Sequence, residues 1–168
     1  MNTGNKLRQM TTAAVFAAAI TLVTAYMLHI PIPTGGYVHL GDTLIYIAAS
    51  IMPAPYAIFA ASIGAGLADL FTAPIWTVPT LIIKALVALV FTCKGEKILN
   101  KRNIAAVFIV SIMSPVLYSF AGCIIMKDAS VFIPQLLGTL VQAIASGVLY
   151  FVFASVLDKN PRFLGKKF

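Results

Sequence analysis

TVPTLIIKALVALVFTCKGEKILNKR, residues 77–102, is an apolar run broken by a single lysine and closed by a cluster of basic residues. As a helix rising about 1.5 Å per residue, 77–93 reaches most of the way across a hydrocarbon layer of about 30 Å. Lys94, Lys97, Lys101 and Arg102 then mark its end in the manner of a cytoplasmic loop. A membrane span is therefore the natural reading, and the rest of the chain repeats the pattern.

Of the 168 residues, 60% are hydrophobic and only 10% charged, and the mean hydropathy is +0.95. That leaves too few polar side chains to coat a soluble globule. Charges and prolines divide the chain into six apolar segments, at roughly 8–30, 41–52, 55–72, 77–93, 103–126 and 132–157. The expectation is an all-α membrane protein, a single domain of six transmembrane helices. The second segment is too short to cross alone, so it must tilt, borrow from the preceding loop or be shielded by its neighbours. The first follows Lys6 and Arg8 and resembles a secretory signal, but its apolar run is longer than a signal core and five more spans follow it, so it reads as a retained span.

The formal charge of +7 does not point to nucleic acid, because no basic stripe interleaves with aromatic residues. Lys6 and Arg8 precede span 1, the 94–102 cluster separates spans 4 and 5, and Lys159, Arg162, Lys166 and Lys167 follow span 6. Six crossings place all three clusters on one side. The positive-inside rule then puts both termini in the cytoplasm and loops 1–2, 3–4 and 5–6 outside. Cys93 and Cys123 fall toward opposite faces, which argues against a disulfide between them.

On this topology the intramembrane polar residues gather in the outer half. Asp42 opens span 2, Asp69 lies near the outer end of span 3, and Lys84 sits seven residues into span 4, about 10 Å down. Tyr37, His39, Trp76, Thr77, Tyr118, Ser119, Gln135 and, deeper, Gln142 join them. A charge in hydrocarbon costs several kcal/mol unless a partner, water or ligand compensates it. An outward-open polar and aromatic cluster, closed below by apolar helix, has the character of a small-molecule site. Each member also has a plainer reading. Asp69 and Lys84 can pair structurally, Asp42 can cap span 2, Trp76 and Tyr37 can anchor at the interface, His39 can be solvated, and Pro31, Pro33, Gly35, Gly36 and Gly41 can be turn residues.

In span 1, Ala13 and Ala17, and likewise Ala14 and Ala18, are spaced by four, so each pair forms a smooth face for close helix approach, either within the bundle or against a partner. Gly64 and Gly66 with Ala61, Ala65 and Ala68, and Gly138 and Gly147, make similar surfaces suited to internal packing. The chain has no P-loop, no HExxH and no GxSxG, no metal-ligand set, and no paired broken helices of an inverted-repeat carrier. An enzyme is not expected.

The order of AAVFAAA, GDTLIYIAASIMP, GAGLADLF and PTLIIKALVALVF resembles the substrate-binding S-components of energy-coupling factor (ECF) transporters, closest to the riboflavin-type branch. The resemblance implies an S-component-like bundle in the cell membrane of a prokaryote. It implies capture of a vitamin-like ligand from outside, docking on a transmembrane coupling protein and two ATPases, and toppling to release the ligand inside. ATP is then hydrolysed by those partners, and this chain needs no cofactor. The alanine faces, Ala14 and Ala18 with Ala13 and Ala17 beside them, map to the coupling-protein interface. The ligand pocket maps to Tyr37, His39, Trp76, Lys84, Tyr118 and Gln135, with Asp42, Asp69 and Gln142 as further candidates. Aromatic residues favour a planar heterocycle. A stand-alone secondary carrier or channel is the competing expectation.

Overall fold

The structure, a computed structural model, describes residues 3–27, 30, 31 and 37–160, with backbone alone at 30, 31, 37 and 38. Tyr37 therefore enters only through its backbone, while Pro33, Gly35, Gly36, Arg162, Lys166 and Lys167 lie outside the described residues.

Six helices carry the fold: α1 (Thr3–Tyr26), α2 (Gly41–Ile51), α3 (Ala54–Thr72), α4 (Thr77–Val90), α5 (Lys101–Met126) and α6 (Phe132–Asp158). Short 3-10 turns, Pro74–Trp76 and Ala129–Val131, lead into α4 and α6. Between α1 and α2, β1 (Ile30–Pro31) and β2 (Tyr37–Val38) form a two-rung antiparallel ribbon. That ribbon corrects the expected end of span 1. Pro31 disfavours helical backbone at the residue before it, so Ile30 is extended and pairs with Val38, and α1 closes at Tyr26.

Four helical stretches, Thr3–Tyr26, Ala54–Thr72, Lys101–Met126 and Ala129–Asp158, are long and apolar enough to cross a membrane on their own. Large apolar side chains face outward from them and from α4, among them Leu22, Phe59, Ile82, Ile112 and Phe153. Such a surface suits lipid and not water. α2 is different. It is about 16 Å long, it packs on α1, α3, α4 and α6, and it buries Gly41–Thr43 and Ile45–Ser50. Shielding by its neighbours accounts for a helix too short to span.

The most extensive packing joins α1 to α3, α3 to α4 and α5 to α6. Small residues allow the first of these. A Cβ added to Gly64 would lie 2.7 Å from the Ala17 carbonyl oxygen, and Thr21 Oγ1 donates to the Gly64 carbonyl at 2.8 Å. Ala13, Ala17 and Ile20 are buried on this face of α1, whereas Ala14 and Ala18 are exposed. Of the four alanines expected at a coupling interface, Ala13 and Ala17 are thus covered by packing within the chain, and Ala14 and Ala18 are open.

At the end carrying the 4–5 loop, side chains lock the loop down. Asp158 accepts the backbone N–H groups of Ile98 (2.7 Å) and Leu99 (2.9 Å). Buried Asn103 accepts from Thr92 N and donates to the carbonyls of Thr92 and Ile98. Just inside, Tyr46, Phe91 and Tyr150 pack ring on ring, with centroids 5.0–6.0 Å apart, and seal this half of the bundle.

Candidate functional site

The opposite half opens into a cavity with about 430 Å³ of empty space, counted out to its open mouth. Its walls are Thr24 of α1, His39, Ala65 and Asp69 of α3, Trp76, Thr80 and Lys84 at α4, Tyr118 of α5, and Gln135, Thr139 and Gln142 of α6. These come from the ends of helices adjoining loops 1–2, 3–4 and 5–6, the ends assigned outward by the charge pattern.

The floor is an ion pair. Lys84 Nζ lies 2.6 Å from Asp42 Oδ1, with side chains only 1% and 3% exposed. Gln142 Nε2 donates to Asp42 Oδ2 at 3.1 Å and stands 3.1 Å from His39 Nε2, and His39 Nδ1 accepts the Gly41 N–H at 3.0 Å. The Lys84 ammonium also sits 5.1 Å from the centre of the Tyr118 ring, within cation–π range. Two sequence expectations change here. Lys84 pairs with Asp42 and not with Asp69, and no side-chain cap forms at the start of α2, because the Asp42 carboxylate is engaged by Lys84 and Gln142. His39 is buried, not solvated.

Asp69 meets α4 one turn higher. Thr80 Oγ1 bonds to Asp69 Oδ2, and the same hydroxyl lies 2.8 Å from Tyr118 OH. Thr80 and Lys84 are four residues apart on one helical face, so α4 presents its upper polar group to Asp69 and its lower one to Asp42. Trp76 is buried against Tyr118, with ring centroids 6.0 Å apart, and therefore is not an interface anchor. Gly122 leaves the space beneath it, since an added Cβ would come within 3.3 Å of the Trp76 ring.

Two buried groups on the cavity wall have no hydrogen-bond partner among the described residues, Trp76 Nε1 and Thr24 Oγ1. Buried polar atoms are normally paired, so two orphans on residues of one cavity wall are groups that a ligand with acceptor atoms would satisfy. Sequence reasoning reached His39, Asp69, Trp76, Lys84, Tyr118, Gln135 and Gln142, all of which line the cavity, and Asp42, which lies behind Lys84. It missed Thr24, Thr80 and Thr139 as wall residues. Thr139 Oγ1 bonds back to the Gln135 carbonyl at 2.6 Å, the ordinary habit of threonine in a helix, and nothing in the sequence marks these three out.

Residues 4–159 match the sequence model of a family described as ECF-type riboflavin transporter, S component. No curated protein matches the chain.

Proposed function

Because the chain belongs to the family of S-components of ECF-type riboflavin transporters, it is a substrate-specific subunit of an ECF importer, and we propose that its outer cavity captures a planar heterocycle, with riboflavin the first candidate. The observation that carries this reading is the pairing of two unsatisfied donors, Trp76 Nε1 and Thr24 Oγ1, with an aromatic wall of Trp76 and Tyr118. A flat ring system with carbonyl and ring-nitrogen acceptors stacks on the wall and takes the donors. The chain sits in the cell membrane as a multi-pass protein with both termini inside. It passes its ligand on by docking on a transmembrane coupling protein whose two ATPases hydrolyse the ATP. The buried ring cluster of Tyr46, Phe91 and Tyr150 in the other half of the bundle supports this over an open channel.

Riboflavin titration of the purified protein, followed by quenching of flavin fluorescence, tests the proposal, with native mass spectrometry to identify any co-purified molecule. Saturable binding is expected. Trp76→Ala should weaken it at least tenfold, about 1.4 kcal/mol, without loss of the folded protein. Equal affinity in the wild type and Trp76→Ala would place the ligand elsewhere.

A further inference from the structure

Lys84 is the only lysine or arginine lining the outer cavity among the described residues, and its charge is already met. Asp42 lies 2.6 Å from the ammonium, Gln142 fixes the second carboxylate oxygen, and the face of Tyr118 covers another side. His39 is already engaged within the wall, its Nδ1 accepting the Gly41 N–H and its Nε2 standing 3.1 Å from Gln142 Nε2. Asp69 brings a further carboxylate to the same wall. The two unsatisfied groups that remain, Trp76 Nε1 and Thr24 Oγ1, are uncharged donors suited to uncharged acceptors. An anion entering here leaves water for a wall whose one lysine among the described residues is already neutralised, in a setting where charge interactions are weakly screened.

We propose that Asp42 sets the charge class of the ligand: by neutralising Lys84 it confines the cavity to heterocycles without a phosphate or carboxylate group. This rests on the reading of the cavity as the ligand site. Asp42 acts through Lys84, so it is a specificity-determining residue that needs no contact with the ligand.

The full-length protein in lipid nanodiscs is titrated with riboflavin and its phosphate ester, flavin mononucleotide. Thermal-shift titrations with pyridoxine and pyridoxine 5′-phosphate, and with thiamine and thiamine monophosphate, run alongside. The wild type should bind the unphosphorylated member of a pair about a hundredfold tighter, equivalent to about 2.7 kcal/mol. Asp42→Asn, which frees the Lys84 charge, should tighten the phosphate ester and narrow that ratio at least tenfold, and Asp42→Glu should restore it. Asp42→Asn leaves an ammonium buried without its partner and can cost the fold. The double variant Asp42→Asn/Lys84→Met carries neither charge and decides the matter in that case. Its ratio should stay within a few-fold of the wild type, whereas a wild-type Lys84 that holds anions predicts a further loss of ester binding. A wild type that binds the ester as well as the parent compound, or that binds none of the unphosphorylated compounds, overturns the charge rule. Failure of riboflavin while another pair obeys the rule removes the flavin assignment and leaves the charge rule standing.

Discussion

Thr24 Oγ1 is buried on a residue of the cavity wall with no partner among the described residues, which makes this hydroxyl a cost to the empty protein and, on the proposed reading, a contact for the filled one. Thr24→Val keeps the shape and deletes the oxygen. The variant should be as stable as the wild type or slightly more so, while ligand affinity falls about three- to tenfold, the scale of one net hydrogen bond. Melting curves of the empty protein and a binding titration on the same sample check this. A loss of stability with unchanged affinity would show a structural hydroxyl. Residues such as Thr24 mark the limit of what the sequence reveals. Asp42, Asp69 and Lys84 stand out because charge is rare in a membrane span, but threonine is common there. Depth along the spans also could not choose Lys84's partner. Both carboxylates lie at the outer end, and the choice was made by α4, which turns Thr80 toward Asp69 and Lys84 toward Asp42.

Among the helices, the contact of α1 with α3 is held at backbone distance by Gly64, opposite Ala17. Gly64→Val should force the two helices apart, because the first added carbon lies 2.7 Å from a backbone oxygen that has no rotamer to escape into. Overpacking of this kind costs about 1–3 kcal/mol. The thermal midpoint should fall by several degrees, together with the Thr21 bond to the Gly64 carbonyl. An unchanged midpoint would show that this contact contributes nothing to the bundle. Most element limits were legible in advance, since charges and prolines cut the apolar runs where the helices end. Two features were not. The extended turn at Ile30 depends on Pro31 and on a partner strand, so the apolar pattern alone carried span 1 too far. The shortness of α2 left tilt, borrowed length and shielding all open, and the choice of shielding follows from how the longer helices surround it, which a count of eleven residues does not contain.

Across the whole molecule, the proposed sites of ligand capture and of coupling occupy different places, and α1 connects them. Thr24 reaches the cavity, while Ala14 and Ala18 are exposed about 15 Å and 9 Å away along the helix axis, on a face that no other helix among the described residues covers. A smooth exposed alanine pair next to large lipid-facing side chains suits close approach by another helix, and the family assignment makes the coupling protein the proposed occupant. Ala14→Trp and Ala18→Trp should therefore block docking by steric overlap while leaving the cavity intact, because sites this far apart without shared partners behave nearly independently. Riboflavin affinity of the purified variants should remain within a few-fold of the wild type, and labelled-ligand uptake in cells with the complete transporter should drop toward background. Ile112→Trp supplies the control, since Ile112 is exposed on α5 and a larger apolar side chain there meets only lipid. Full uptake with tryptophan at both alanine positions would show that the coupling protein docks on another face. Uptake lost equally in Ile112→Trp would mean that bulk anywhere on the lipid-facing surface is harmful, and the alanine face would then have no special claim.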